Sequence, residues 1–200
     1  MPCRGLVRKP DTSRDVEQKF IYPLLTALHP AGFGIRSSAI VTKANVRRFE
    51  IEKGNQRKTY YPDYVIAIGG YPLAVIEAKA PGIDLSEAFR ESRLYANELN
   101  ALYPAGMNPV LIVCATNANH LWFGTADQTE PTLTLDYADV ESYSNGMAEA
   151  QLLLGISALQ ERFRTLNEAR RSPRYFTFRS RRPQPSHCSG FDDHPQSGSS

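Results

Sequence analysis

The stretch YYPDYVIAIGGYPLAVIEAK, residues 60–79, decides the fold of this chain. Two runs rich in β-branched and aromatic residues flank the pair Gly69-Gly70, which is the pattern of a β-hairpin. Glu77 and Lys79 are two positions apart, so on a strand both side chains point to the same face. Because charged groups are costly to bury unless they are paired or hold a metal, the hairpin predicts a functional site at this end.

The geometry of the turn decides whether Asp63 shares that face. With a two-residue glycine turn, Asp63 lies opposite Ile76 and points away from Glu77. A three-residue loop places Asp63 opposite Glu77 instead. A shared site therefore predicts a loop with an odd number of residues, or a bulge near Pro62 that re-aims Asp63.

The motif in this hairpin resembles that of a known nuclease superfamily. Pro62-Asp63, followed by Glu77-Ala78-Lys79 at the end of a hydrophobic strand, is similar to the PD-(D/E)xK motif. The flanking segments 61–65 and 74–79 resemble the N-terminal nuclease domain of type I restriction endonuclease motor subunits. The similarity spans roughly residues 15–123 and implies a metal-dependent DNA endonuclease.

The resemblance also implies how the site works. The expected catalytic residues are Asp63, Glu77 and Lys79. The expected cofactor is Mg²⁺, and Mn²⁺ should be tolerated in its place. Both carboxylates, the carbonyl of Ala78 and a helix-borne Glu17 would hold the ion, since Mg²⁺ prefers oxygen ligands. Lys79 would orient the attacking water or stabilise developing negative charge. An acid that stabilises the dipole of the first helix is the other interpretation of Glu17, and both stay open.

A helix after the hairpin is expected to add supporting residues. Glu91 and Tyr95 are four apart and share one helix face. Related nucleases carry a Gln-x-x-x-Tyr pair at this place, so Glu91 departs from their pattern. The added negative charge would alter the metal site or the DNA contact, or Glu91 is a surface residue beside Arg90 and Arg93.

A basic segment precedes the hairpin. Residues 36–58 contain seven basic and two acidic residues. The segment is either a ridge that tracks DNA phosphates or a solvated edge protected by its charges. The expected DNA-side residues of this ridge are Arg47, Arg48, Lys53, Arg57 and Lys58.

The order of elements predicts an α/β/α sandwich with a central mixed β-sheet, as in restriction endonucleases. One helix should begin at Thr12 or Ser13 and kink or restart at Pro23. After the hairpin, a capping box at 84–87 should start a helix that ends near Leu102.

Strands and domain boundaries complete the expected architecture. Residues 109–115 form an apolar run typical of a strand buried on both faces, and further strands are expected at 120–123 and 132–137. One helix should cover roughly residues 146–170. The boundaries implied are a nuclease domain at 12–140, a C-terminal helix at 141–171 that packs on it or links onward, and a disordered Arg-, Ser- and Pro-rich tail at 172–200.

Composition limits the function classes. The net charge of +2 conceals 15 basic against 17 acidic residues in 1–160 and eight Arg against two Glu in 161–182. Overall charge is therefore no argument for nucleic-acid binding. No apolar run approaches 18 residues and the start has no signal-peptide core, so a cytoplasmic location without a membrane span is expected.

The sequence has no G-x-x-x-x-G-K-[ST] phosphate loop, so no ATP site is expected in this chain. The lack of this loop fits a fragment or a stand-alone relative of a type I motor subunit. The partners that the resemblance implies are methylation and specificity subunits. Two other functions stay open: a catalytically quiet DNA-binding or assembly module, and an RNA- or structure-directed nuclease of the same fold.

Overall fold

A computed structural model gives the structure of the protein and describes residues 10–43 and 61–171. Within these ranges, six strands form one mixed sheet whose spatial order follows the chain. The strands are β1 (Ile40–Thr42), β2 (Tyr64–Ile68), β3 (Tyr71–Ala78), β4 (Ile112–Thr116), β5 (His120–Thr125) and β6 (Leu133–Asp136). Strands β3 and β4 are parallel and the other neighbours are antiparallel. The mixed sheet predicted from the sequence is thus confirmed.

Helices cover both faces of the sheet. They are α1 (Ser13–Asp15), a π-helical segment (Val16–Ile21), α2 (Tyr22–Thr26), a 3₁₀ turn (Ser37–Ala39), α3 (Ser86–Ala101), α4 (Tyr137–Ser142), α5 (Asn145–Leu154) and α6 (Ile156–Arg171). Among the described residues, no helix is both long enough and apolar enough to cross a membrane.

Alternation along the strands divides the core into two layers. Val65, Val75 and Val113 pack with α3 on one face. Ile66 and Ile76, one residue further along their strands, pack with the N-terminal helices, α5 and α6 on the other. A period of two residues is what a sheet covered on both faces requires. The architecture is an α/β/α sandwich, consistent with the restriction-endonuclease-like fold.

The N-terminal helical segment, residues 13–26, runs through its proline without a break. Thr12 caps α1, and its Oγ1 accepts a hydrogen bond from the Asp15 N–H at 3.1 Å. A π-type bond precedes the proline, because the Tyr22 N–H donates to the Glu17 carbonyl, and Pro23 lies in the first turn of α2. The helix ends at Thr26, and Leu28 beyond it is exposed.

A bulge sets the register of the β2–β3 hairpin. Gly69 and Gly70, with φ of 58° and 85°, form a two-residue turn that pairs Ile68 with Tyr71. The register then shifts between Ile66 and Ala67, which leaves Leu73 as an extra residue on β3.

The bulge brings the two acidic residues together. Beyond it, Tyr64 pairs with Ile76, and the same register places Asp63 opposite Glu77. The odd-length loop was therefore a wrong expectation, and the bulge lies beside the turn instead of near Pro62. Pro72 explains the place, because it cannot donate to the ladder and so loosens pairing at that point.

Two predicted helix ends differ from the structure. Helix α3 begins at Ser86 with the buried Leu85 as its N-cap and no side-chain hydrogen bond there, so packing of Leu85 sets the start that a capping box was expected to set. The helix predicted over 146–170 is two helices, α5 and α6, separated by an extended Gly155. Leu159 and Leu166 of α6 are buried in the core. The boundary at residue 140 stays a prediction, and residues 172–200 lie outside the described ranges.

The contact of α6 with the hairpin turn yields a matched pair of substitutions. A Cβ at Gly69 would overlap the ring of Phe163 in α6, whereas a Cβ at Gly70 would meet nothing within 4 Å. Both glycines have positive φ, so both changes to alanine carry backbone strain of about 1 kcal/mol. Gly69→Ala is expected to lower the free energy of unfolding by about 1–3 kcal/mol more than Gly70→Ala, because only Gly69→Ala also overpacks the contact. Urea denaturation of the two variants measures this difference. Equal losses of unfolding free energy would show that Phe163 of α6 does not pack against Gly69.

Candidate active site

Two buried carboxylates form the centre of the candidate site. Asp63 and Glu77, 2 % and 5 % exposed, are the charged residues that are buried among residues 10–43 and 61–171. Asp63 directly precedes β2, and Glu77 lies next to the end of β3. The Oδ2 atom of Asp63 accepts a hydrogen bond from the Ala78 N–H at 2.8 Å. The register of the bulged hairpin therefore sets both acids side by side on the face covered by α3.

Lys79 is held between two glutamates. Its Nζ donates to Glu77 Oε1 at 2.9 Å and to Glu91 Oε2 at 2.8 Å. Packing of α3 on β3 brings Glu91 to this place, with its side chain only 14 % exposed. Burial by itself lowers the pKa of Lys79, but the bonds and charges of Glu91 and Glu77 outweigh it and raise the pKa well above its usual range. Lys79 is thus a fixed ammonium suited to stabilising negative charge.

Glu77 has one oxygen without a partner. Its Oε2 atom is buried and accepts no hydrogen bond from any residue in the described ranges. Burial raises the pKa of Glu77 to about 7, and the charge of Asp63 adds to the rise, while Lys79 and Lys43 oppose it. A buried carboxylate oxygen without a hydrogen bond destabilises the folded protein, and a cation bound beside it would remove this destabilisation.

The raised pKa predicts how stability depends on pH. The folded protein keeps a proton on Glu77 up to about pH 7, whereas the unfolded chain loses it near the ordinary value of 4.5. The stabilising contribution of Glu77 is therefore complete below pH 4.5 and is lost as pH rises through 7. In metal-free buffer, we expect the free energy of unfolding to fall by about 1–3 kcal/mol across this window because of Glu77. Denaturation of the wild type and of Glu77→Gln from pH 5 to 8 tests this, since the variant must lack that part of the decline.

Glu17 approaches from the helix on the other face. Its backbone carbonyl accepts a hydrogen bond from Tyr64 Oη at 2.8 Å. Burial raises the pKa of Glu17 and the charge of Asp63 raises it further, so the two carboxylates act on each other. Within residues 10–43 and 61–171, no group of three or more His, Cys, Asp and Glu side chains is arranged to hold a metal as it stands. The place of Glu17 among the ligands stays a prediction.

The pair of carboxylates nevertheless fits a hard cation. Mg²⁺ is commonly bound through one or two carboxylates and keeps several waters, so a third protein carboxylate is not required. Asp63 and Glu77 are adjacent, and the buried Oε2 of Glu77 lacks a protein partner in the described part of the chain. Cys114 offers no competing chemistry, because complete burial raises the pKa of its thiol far above the usual range.

Sequence reasoning missed one residue of the site. The Lys43 N–H donates to the Asp63 carbonyl at 3.3 Å, and the Lys43 ammonium pairs with Asp63 Oδ1. Lys43 follows β1 directly, and its register on β2 places it opposite Asp63. Val41 and Lys43 are two residues apart, which on a strand places both side chains on the same face. The sequence did not show, however, that β1 pairs with β2.

The other predicted residues are distributed as follows. Tyr95 is buried on α3, one turn after Glu91, among the residues that pack on the same sheet face. The five expected DNA-side residues lie outside the described ranges: Arg47, Arg48, Lys53, Arg57 and Lys58. A cavity of about 540 Å³ near the end of α3 is lined by Asn100, Asn108 and Arg162, among others, and includes none of the predicted site residues.

Comparison with known proteins gives a family match for part of the chain. Residues 42–132 match the family model described as the type I restriction enzyme R protein N terminus. The matched segment contains Lys43, Asp63, Glu77, Lys79 and Glu91, whereas Glu17 precedes it. No curated protein and no solved structure matches the chain. Over residues 42–132, the chain is therefore similar to the N-terminal domain of the type I restriction enzyme R protein family.

Proposed function

We propose that the chain is a metal-dependent endonuclease that hydrolyses DNA phosphodiester bonds with Mg²⁺, and that Mn²⁺ can replace it. The observation that carries the proposal is the buried Oε2 of Glu77, which accepts no hydrogen bond from the described residues. Asp63 lies beside this carboxylate, and the ammonium of Lys79 donates to its other oxygen. Such an arrangement is unfavourable without a cation, and perturbed acids of this kind are typical of functional sites.

Each residue has a distinct role in the proposed reaction. Asp63 and Glu77 would hold the ion, with the carbonyl of Ala78 and the carboxylate of Glu17 as further ligands. When bound, a divalent ion neutralises phosphate charge and lowers the pKa of water. Lys79 donates to the phosphate oxygens as negative charge develops on them. Glu91 keeps the ammonium in place.

The family supplies the proposed setting. The similarity suggests the nuclease part of a type I restriction–modification system that acts on DNA in the cytoplasm, with methylation and specificity subunits as partners. The 200 residues contain no phosphate-loop motif, so we propose no ATP chemistry for this chain. The basic segment before the hairpin is the proposed contact with the DNA backbone.

Cleavage of supercoiled plasmid by the purified chain tests the proposal. Nicking is expected with Mg²⁺ or Mn²⁺, to be absent with EDTA, and to be lost in Glu77→Ala. Lys19→Ala is a matched control, because Lys19 is half-exposed and pairs with Asp15, one helical turn before it. Cleavage that persists in Glu77→Ala would overturn the assignment of the site, and preference for an RNA substrate would overturn the choice of DNA.

The second candidate function is a quiet DNA-binding or assembly module. Glu91 favours it, because a second carboxylate on Lys79 restrains the ammonium that catalysis would use. A folded protein that binds DNA but does not nick plasmid with either metal, alone or with its partner subunits, would establish this function instead.

A further inference from the structure

A row of three charges crosses neighbouring strands at the site. The row lies at one end of the sheet, where β1, β2 and β3 are neighbours. The strand register places Lys43 opposite Asp63 and Asp63 opposite Glu77. Opposed residues on adjacent antiparallel strands point to the same face. The three side chains therefore share one surface of the sheet.

Lys43 faces several acids at once. Its ammonium pairs with Asp63 Oδ1, and the charges of Glu77 and Glu17 also act on it. Its side chain is 54 % exposed, whereas that of Asp63 is 2 % exposed. The ammonium thus lies between solvent and a buried carboxylate.

The charges around this point are unequal. Among the described residues, the ammonium groups of Lys43 and Lys79 stand against four carboxylates, a net of −2 when these six groups are ionised, and the Arg14 guanidinium also acts on one of the acids, Glu17. The carboxylates are Glu17, Asp63, Glu77 and Glu91. Lys79 bonds to Glu77 and Glu91, and in the described part of the chain Lys43 is the cation that pairs with Asp63.

We propose that Lys43 is the internal counter-ion of the candidate metal site. In the metal-free protein it neutralises Asp63, and a divalent ion that binds Asp63 displaces it. The displaced ammonium, on a flexible half-exposed stem, then faces the phosphate of the substrate. This inference rests on the proposed function, because it requires that a divalent ion binds at Asp63 and Glu77.

Electrostatics make this role distinct from that of an ordinary ion pair. A divalent ion and an ammonium repel each other, so they compete for Asp63 Oδ1. Lys43 therefore weakens metal binding while it stabilises the empty site. Displacement leaves no buried charge without a partner, since the Lys43 side chain already reaches solvent. A merely structural ion pair would have the opposite effect, because its loss would disorder Asp63 and weaken metal binding.

Calorimetric titration with Mn²⁺ at pH 8 tests the proposal, using the full chain and Lys43→Met. The variant is expected to bind Mn²⁺ roughly fivefold more tightly than the wild type, because a competing charge is gone. Thermal melting should show the reverse order without metal: the variant melts at a lower temperature, and Mn²⁺ raises its melting temperature more than that of the wild type. Lys19→Met is the matched control, since Lys19 has a similar exposure of 49 % and also pairs with an aspartate. It should leave Mn²⁺ affinity unchanged.

The outcomes separate the two hypotheses. Unchanged or weaker Mn²⁺ binding by folded Lys43→Met, with the wild type binding normally, would overturn the counter-ion role and leave the proposed nuclease site intact. Binding that is equal in the wild type and in Glu77→Gln would overturn both, because the ion would then lie elsewhere. Tighter binding by Lys43→Met that is lost in the double variant with Glu77→Gln supports the proposal.

Discussion

Glu77→Gln is expected to abolish metal-dependent cleavage and at the same time to stabilise the fold at pH 8. The substitution keeps the shape of the side chain and removes the charge that a divalent ion needs. Loss of a metal ligand removes several kcal/mol of transition-state stabilisation, so the rate of plasmid nicking should fall about a thousandfold. Calorimetry should show the loss of Mn²⁺ binding in parallel.

Glu77→Gln is expected to stabilise the fold although it abolishes cleavage, and the reason is the burial of the Glu77 charge. At pH 8 the wild-type Glu77 is ionised in a buried place beside Asp63, and its Oε2 accepts no hydrogen bond from the described residues. A neutral amide removes both the desolvation of the charge and its repulsion with Asp63. In metal-free buffer at pH 8, the free energy of unfolding should rise by about 1–3 kcal/mol.

Glu87→Gln provides the matched control. Glu87 is an exposed glutamate on α3 whose carboxylate pairs with Arg90. The same chemical change there should alter neither nicking nor Mn²⁺ affinity. If Glu77→Gln lowered stability at pH 8 while nicking remained, the acid would be a structural residue and the proposed site would be wrong.

Lys79→Met is expected to separate catalysis from metal binding. The side chain is replaced by one of similar length without charge, so the ammonium that faces the developing negative charge is lost. Removal of one such donor typically slows a reaction about 10²–10³-fold, and we expect a fall of this size in nicking. Mn²⁺ should still bind at least as tightly as in the wild type, because Glu77 and Glu91 lose the cation that they share.

The contrast with Glu77→Gln makes this result informative. In Glu77→Gln both Mn²⁺ binding and nicking disappear, whereas in Lys79→Met only nicking does. Circular dichroism on both variants checks that each is folded. Loss of Mn²⁺ binding in folded Lys79→Met would show that the lysine orders the carboxylates and has no separate role in charge stabilisation.

Local patterns sufficed for the general architecture. The glycine pair between two apolar runs predicted the β2–β3 hairpin, and the continuous apolar run predicted the buried strand β4. The motif of Asp63, Glu77 and Lys79 pointed to the restriction-subunit family that the family model confirms. These features are readable because hydrophobic period and turn chemistry act over a few residues.

Helix ends and breaks were predicted less well. Packing of the buried Leu85 sets the start of α3, and an extended Gly155 divides the C-terminal helix. Both depend on what the helix contacts, so propensity and capping patterns alone could not supply them.

The sequence by itself determined the fold class, the family and the chemical types in the site: carboxylates and a lysine at the end of a buried hairpin. Only the tertiary structure decided that these groups meet. The extra residue Leu73 in β3 turns Asp63 toward Glu77, α3 brings Glu91 to Lys79, and the pairing of β1 with β2 sets Lys43 on Asp63. The physical reason is range: alternation and turn signals act between neighbours, whereas register, bulges and the approach of a helix result from packing between segments 12 to 20 residues apart.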